Sequence, residues 1–121
     1  MTTANVVLTG NVSGGPVGNR SFGPAAVTSA SAVDATQVVT VSTNTTITVP
    51  VGSTGVFIAG PNAVSPIPNP NYAGVLTIKG VAGDTGVVMS AKWPQFLAWD
   101  VAPATFVLNA TVSCTVELWF F

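Results

Sequence analysis

Val112-Ser113-Cys114-Thr115-Val116-Glu117-Leu118-Trp119-Phe120-Phe121 closes the chain and decides how the rest of it is read. Successive side chains of a strand point to opposite faces. Val112, Cys114, Val116, Leu118 and Phe120 therefore share one apolar face. Ser113, Thr115 and Glu117 keep the other face polar until it turns aromatic at Trp119 and Phe121. A period of two sustained to the end of the chain predicts a half-buried β-strand. Just upstream, Thr105–Ala110 repeats the pattern with Phe106 and Leu108 inward, and the two segments are expected to form a hairpin turning near Asn109–Thr111.

Working back from there, the same signature recurs. Gln37–Ser42 and Thr45–Val49 read as short strands on either side of Thr43-Asn44, with Val39, Val41, Ile47 and Val49 as core candidates; Pro50 and Gly52 end the second. Gly55–Ala59, Gly74–Gly80, Val87–Ser90 and Gln95–Trp99 follow. Leu76 and Ile78 point inward, and Val87–Ser90 pairs with Gly74–Gly80 across Ala82-Gly83-Asp84-Thr85-Gly86. Val and Thr dominate, both β-branched and stiff at χ1, which suits a pleated strand. Gly and Pro interrupt the chain about every eight to twelve residues, the spacing of a sandwich or barrel with about seven core strands. No segment reads as a helix.

The expected fold is all-β: an antiparallel β-sandwich of jelly-roll or immunoglobulin-like type over residues 31–121. Residues 1–30 hold Gly14-Gly15-Pro16, Gly18 and Gly23-Pro24 between short apolar stretches. They read as an irregular edge strand or as an extended N-terminal arm lying on a neighbouring subunit. Pro61, Pro66, Pro68 and Pro70 forbid regular pairing across 61–71 and favour a stiff surface loop of polyproline type.

Composition narrows the function. The 121 residues suit a single domain. Apolar residues make up 48% of the chain and charged residues 6%, against about 25% charged in an ordinary soluble domain. That is too apolar for a disordered chain. So little repulsion between copies predicts a surface largely covered by partners. The net charge of −1 sets Arg20, Lys79 and Lys92 against Asp34, Asp84, Asp100 and Glu117. Three scattered cations build no phosphate-binding face, which excludes nucleic acid as a partner. The opening Met1-Thr2-Thr3-Ala4-Asn5 has no signal-peptide pattern, and no apolar run approaches a membrane span, so neither export nor a membrane is expected. The single Cys114 leaves the fold to be held by packing alone.

The residues suited to chemistry are scarce. Histidine is absent, which removes the usual general base and the commonest metal ligand. One cysteine cannot build a structural zinc site. The four carboxylates stand on separate predicted elements, whereas a glycosidase needs two to converge. Asp84-Thr85-Gly86 matches the core of the retroviral-type aspartic proteases, all-β homodimers in which each subunit supplies one Asp. Gly83 stands here where that family places a hydrophobic residue, and no glycine follows Gly86 to build its second late element. Gly83–Gly86 reads instead as a hairpin turn, with Asp and Gly where positive φ is needed. One local carboxylate is too few for calcium. An isopeptide bond from Lys79 or Lys92 to an Asn, assisted by Glu117, is the remaining covalent option; a solvated Lys is the simpler reading. No enzyme activity, cofactor or metal is expected.

Thr77-Ile78-Lys79-Gly80-Val81-Ala82-Gly83-Asp84-Thr85-Gly86-Val87, followed by Trp93-Pro94, Phe96-Leu97 and Phe106-Val107-Leu108, resembles small virion structural proteins of tailed bacteriophages. The opening Gly10–Pro16 and Arg20–Pro24 are similar to the N-terminal stretch of those proteins. The likeness is one of texture across most of the chain. It implies a non-enzymatic protein present in many symmetric copies: a capsid decoration (cement) protein bridging major capsid subunits, residing in the virion and assembled in the host cytoplasm. The alternative it implies is a small tail, baseplate or head-fibre module that recognises host glycan through Trp93 and Tyr72, with Asn69 and Asn71 nearby. A homotrimer is expected, with a homodimer as second choice. Phe22, Trp93, Trp119 and Phe121 are the candidate interface residues, since aromatics dominate interface hot spots; Trp99 is assigned to the core.

Overall fold

The computed structural model of the chain describes residues 4–12, 20–29, 35–62 and 71–121, with side chains from residue 37 onward. Among these residues every regular element is a strand: β1 (Ala4–Val12), β2 (Arg20–Ser29), β3 (Ala35–Val41), β4 (Thr45–Thr48), β5 (Gly55–Ala59), β6 (Leu76–Lys79), β7 (Val87–Met89), β8 (Gln95–Ala98), β9 (Thr105–Ala110) and β10 (Cys114–Phe120).

Eight of them form two four-stranded antiparallel sheets, ordered β3-β10-β5-β8 and β4-β9-β6-β7. The pairings are nested. β3 pairs with β10, β4 with β9, β5 with β8 and β6 with β7, so the chain folds back on itself as one long double ribbon. Two further ladders, β10 with β5 and β9 with β6, close each sheet. Nested winding of eight strands into two sheets is the topology of a jelly roll, which decides between the two sandwich types that the sequence allows.

Alternation places the core. Cys114, Val116, Leu118 and Phe120 of β10 are buried, and they meet Phe106, Leu108 and Ala110 of β9 across the sandwich. The rings of Phe106 and Phe120 lie 6.5 Å apart. Val41, Ile47, Val49, Val56, Ile58, Tyr72, Leu76 and Met89 complete this single cluster. Each such side chain contributes about 1.5–3 kcal/mol of transfer free energy on burial.

β9 and β10 are not the hairpin that their adjacency suggests. They belong to different sheets, and Thr111–Ser113 carries the chain from one to the other. Each strand has its own apolar face, and stacking buries those faces against one another, whereas a hairpin would set them side by side on one sheet. The crossover is pinned by Thr111 N to Val75 O at 3.0 Å and by Val75 N to Thr111 Oγ1 at 2.8 Å. β3 and β4 change sheet in the same way through Thr43-Asn44, where Asn44 takes φ 49°, a conformation that Asn tolerates better than most residues. The β6–β7 pairing is as the sequence predicts.

The N-terminal segment contains two paired strands. β1 and β2 pair antiparallel from Ala4 opposite Ser29 to Val12 opposite Arg20, with an irregularity between Leu8 and Gly10. They pair with each other and with no strand of the sandwich. Most of the proline-rich loop, residues 63–70, lies outside the described residues; at its start Pro61 is buried and Asn62 N donates to Ala91 O at 2.9 Å.

Candidate functional site: an aromatic face on one sheet

The outward side of the β3-β10-β5-β8 sheet is aromatic where an antiparallel sheet is usually polar. Register makes it so. Trp119 of β10 lies opposite Phe57 of β5, and Phe57 lies opposite Phe96 of β8. The rings of Phe57 and Phe96 are 5.0 Å apart and tilted by 58°, and those of Phe57 and Trp119 are 6.3 Å apart, edge to face. These are favourable aromatic geometries, worth about 0.5–1.5 kcal/mol per pair. Trp119 nonetheless keeps 51% of its surface exposed.

The next row across the sheet joins Val38, Glu117 and Ala59. Val38 is exposed. Glu117 Oε1 accepts a hydrogen bond from Trp119 Nε1, which fixes the edge of the indole. Glu117 is the one charged residue that the strands contribute to this side. Phe57, Ala59, Pro94 and Trp119 bound a shallow hollow of about 150 Å³. Trp93, which precedes Pro94 in the chain, is 72% exposed, in a turn where Ser90 Oγ accepts from Trp93 N at 3.1 Å.

The candidate interface residues fare differently. Trp93 and Trp119 are exposed as expected. Phe22 lies in β2 opposite Gly10, among residues whose side chains are not described. Phe121 is a correction: it is 3% exposed. Alternation puts it on the outer side with Trp119, and its ring does lie on that side, 6.1 Å from Phe57, but it is covered there, and the regular ladder stops at Phe120. There the backbone turns to a new set of partners. Phe121 N donates to Gly55 O at 3.1 Å, and its carbonyl accepts from Thr54 N at 2.6 Å, Gly55 N at 3.2 Å and Ser53 Oγ at 3.2 Å. A Cβ at position 55 would lie 2.6 Å from the Phe121 ring, so glycine is needed there for the ring to cover the strand. The ring then stacks on Phe96 at 5.5 Å and 9°. Phe121 is the inner anchor of the aromatic face. Trp99 is half-buried against the core, as assigned, with Nε1 donating to Ser53 O at 2.7 Å.

Tyr72 is likewise a correction to the glycan alternative. It is buried, not exposed as that alternative needs, and its hydroxyl donates to Val112 O at 2.7 Å. Burial, with Cys114 close by, pushes its phenol up. Asn71 is exposed, and Asn69 lies outside the described residues.

Asp84 builds a turn. Its Oδ2 accepts from Val81 N at 3.0 Å, and its own N donates to Val81 O at 3.1 Å. Positive φ falls on Gly86 (75°) and not on Asp84. Lys79 does meet an asparagine: Nζ lies 3.2 Å from Asn44 Oδ1 and 3.3 Å from Ala82 O. That site is exposed, and Glu117, the acid considered for an isopeptide bond, belongs to the opposite sheet. Lys79 and Asp84 also border an open depression of about 580 Å³, where both are engaged in these turn contacts. Burial pushes the Cys114 thiol up, away from the thiolate that a nucleophile requires. Among the described residues no group of three or more His, Cys, Asp or Glu could hold a metal ion, and no helix is long and apolar enough to cross a membrane.

Comparison of the chain with protein-family models, curated proteins and solved structures finds no match.

Proposed function

We propose that this chain is a non-enzymatic structural module that works by assembly, as a capsid decoration protein bridging major capsid subunits in a virion. One observation carries the reading: a rigid ladder of Trp119, Phe57 and Phe96 on the outer side of a sheet with a single charge. An edge-to-face aromatic row anchored by Phe121 is preorganised, so little side-chain entropy is lost when a partner covers it. A solvated face of this kind is an association hazard for a lone monomer. The charge-poor composition supports the same reading, as does the jelly roll, a fold that recurs in viral capsid and lectin domains; a fold alone does not define a function.

A decoration protein sits at every equivalent position of a symmetric shell. The test is quantitative mass spectrometry of purified particles. We expect the chain in a copy number comparable to that of the major capsid protein. Absence from particles, or a handful of copies as for a tail or fibre component, contradicts this reading.

A further inference from the structure

We infer that the β1–β2 ribbon of one copy lies on the aromatic face of a second copy, with Arg20 of the ribbon pairing with Glu117 of the face. The inference rests on the assembly reading above and names the partner of that surface. Two unsatisfied features of the same chain motivate it. The ribbon pairs with no strand of the sandwich, and a lone two-stranded ribbon is marginal in water unless it packs on something. The outer face of the β3-β10-β5-β8 sheet carries Trp119 and Val38 in the open. The charges complement one another. Arg20 is the one charged residue in β1 and β2, and Glu117 is the one charged residue that the strands give to the face.

Reach favours a second copy over the ribbon's own sandwich. Arg20 stands at the ribbon end remote from β3. Nine residue steps separate it from Ser29, about 30 Å of strand. Residues 30–34 then lead to Ala35, a join that spans at most about 20 Å. Ala35 pairs with Phe120, which puts Glu117 about 10 Å further along β10. For Arg20 to reach its own Glu117, the join must run straight back along the ribbon for much of its full length. A neighbouring copy imposes no such demand. An arm laid on a neighbour's face is a heterologous contact, and it closes into a ring when the rotation allows, a trimer among the possibilities.

The test combines charge exchange with cross-linking. Arg20→Glu and Glu117→Arg are each expected to convert the oligomer to a folded monomer by light scattering and circular dichroism, and the double variant to restore the oligomer. In a Cys114→Ala background, Arg20→Cys chains mixed with Glu117→Cys chains are expected to form disulfide-linked heterodimers under mild oxidation. A chain carrying both cysteines that closes on itself and runs as a monomer places the ribbon in cis and overturns the inference. An oligomer that ignores both charge reversals and gives no mixed disulfide overturns it too, while leaving the assembly reading standing. A wild-type chain that is monomeric overturns both.

Discussion

Replacing Phe121 by Ala is expected to cost far more stability than replacing Trp119, although the two are neighbours in sequence and both are aromatic. Phe121 is 3% exposed, lies over Gly55, and stacks on Phe96 at 5.5 Å. Truncating a buried Phe costs about 3–5 kcal/mol, and the lower figure, about 3 kcal/mol, suits a ring that lies outside the core cluster. Trp119 is half exposed, so its removal opens no cavity. The loss there is chiefly the edge-to-face contact with Phe57, about 1 kcal/mol. Urea unfolding followed by circular dichroism reads the contrast. With a slope of about 1.5 kcal/mol per molar for a domain of this size, Phe121→Ala should lower the midpoint by about 2 M and Trp119→Ala by under about 1 M. Both should be measured at high dilution, so that loss of a subunit interface does not add to the apparent stability of the wild type. Equal and small shifts for the two variants would mean that Phe121 is not an anchor of the aromatic face.

Gly55→Ala should destabilise the fold, because a Cβ there meets both the Phe121 ring and the Leu97 carbonyl oxygen at 2.6 Å; in a Phe121→Ala background the loss should shrink but not vanish, as a double-mutant cycle in urea will test. Asp84→Asn should fold and assemble as wild type, because the amide oxygen still accepts from Val81 N, whereas Asp84→Ala should lose about 1 kcal/mol; peptidase activity that disappears in Asp84→Asn would refute the turn assignment. The Cys114 thiol is raised above its ordinary value of 9.0 by burial, so the folded state prefers the protonated form. Its contribution to stability is present below pH 9 and is lost as pH rises through the folded value. Melting temperatures should therefore fall above pH 9, and Cys114→Ala should flatten that part of the fall; an unchanged profile would contradict the burial of the thiol.

Much of the sandwich is legible in the sequence because period-two alternation is local. The segments around Val41, Ile47, Ile58, Leu76, Leu108 and Leu118 are each recognisable from a few neighbours. Pairing is not local. The nested ladders join residues as distant as Val41 and Cys114, and a short connector such as Thr111–Ser113 serves a hairpin and a sheet crossover equally well. The aromatic face shows the same divide. Trp119 and Trp93 stand out in the sequence by size alone. Phe57 and Phe96 each look like one more strand residue until register sets them beside Trp119. Alternation gives the side on which Phe121 lies but not its burial, which comes from its backbone bonds to Ser53, Thr54 and Gly55 and from the rings of Phe57 and Phe96. Tyr72 offers no local sign that its hydroxyl will reach Val112 across the fold.

The central claim is that the exposed aromatic row is an assembly surface and not merely an outer decoration of a monomer. Multi-angle light scattering of the wild-type chain and of Trp119→Ser, at high micromolar concentration and low salt, tests it most directly. The expected result is a wild-type homotrimer, with a homodimer as the second expectation, beside a variant that melts as a folded domain but elutes as a monomer. A wild type that is cleanly monomeric, or a variant that assembles as well as the wild type does, would contradict it.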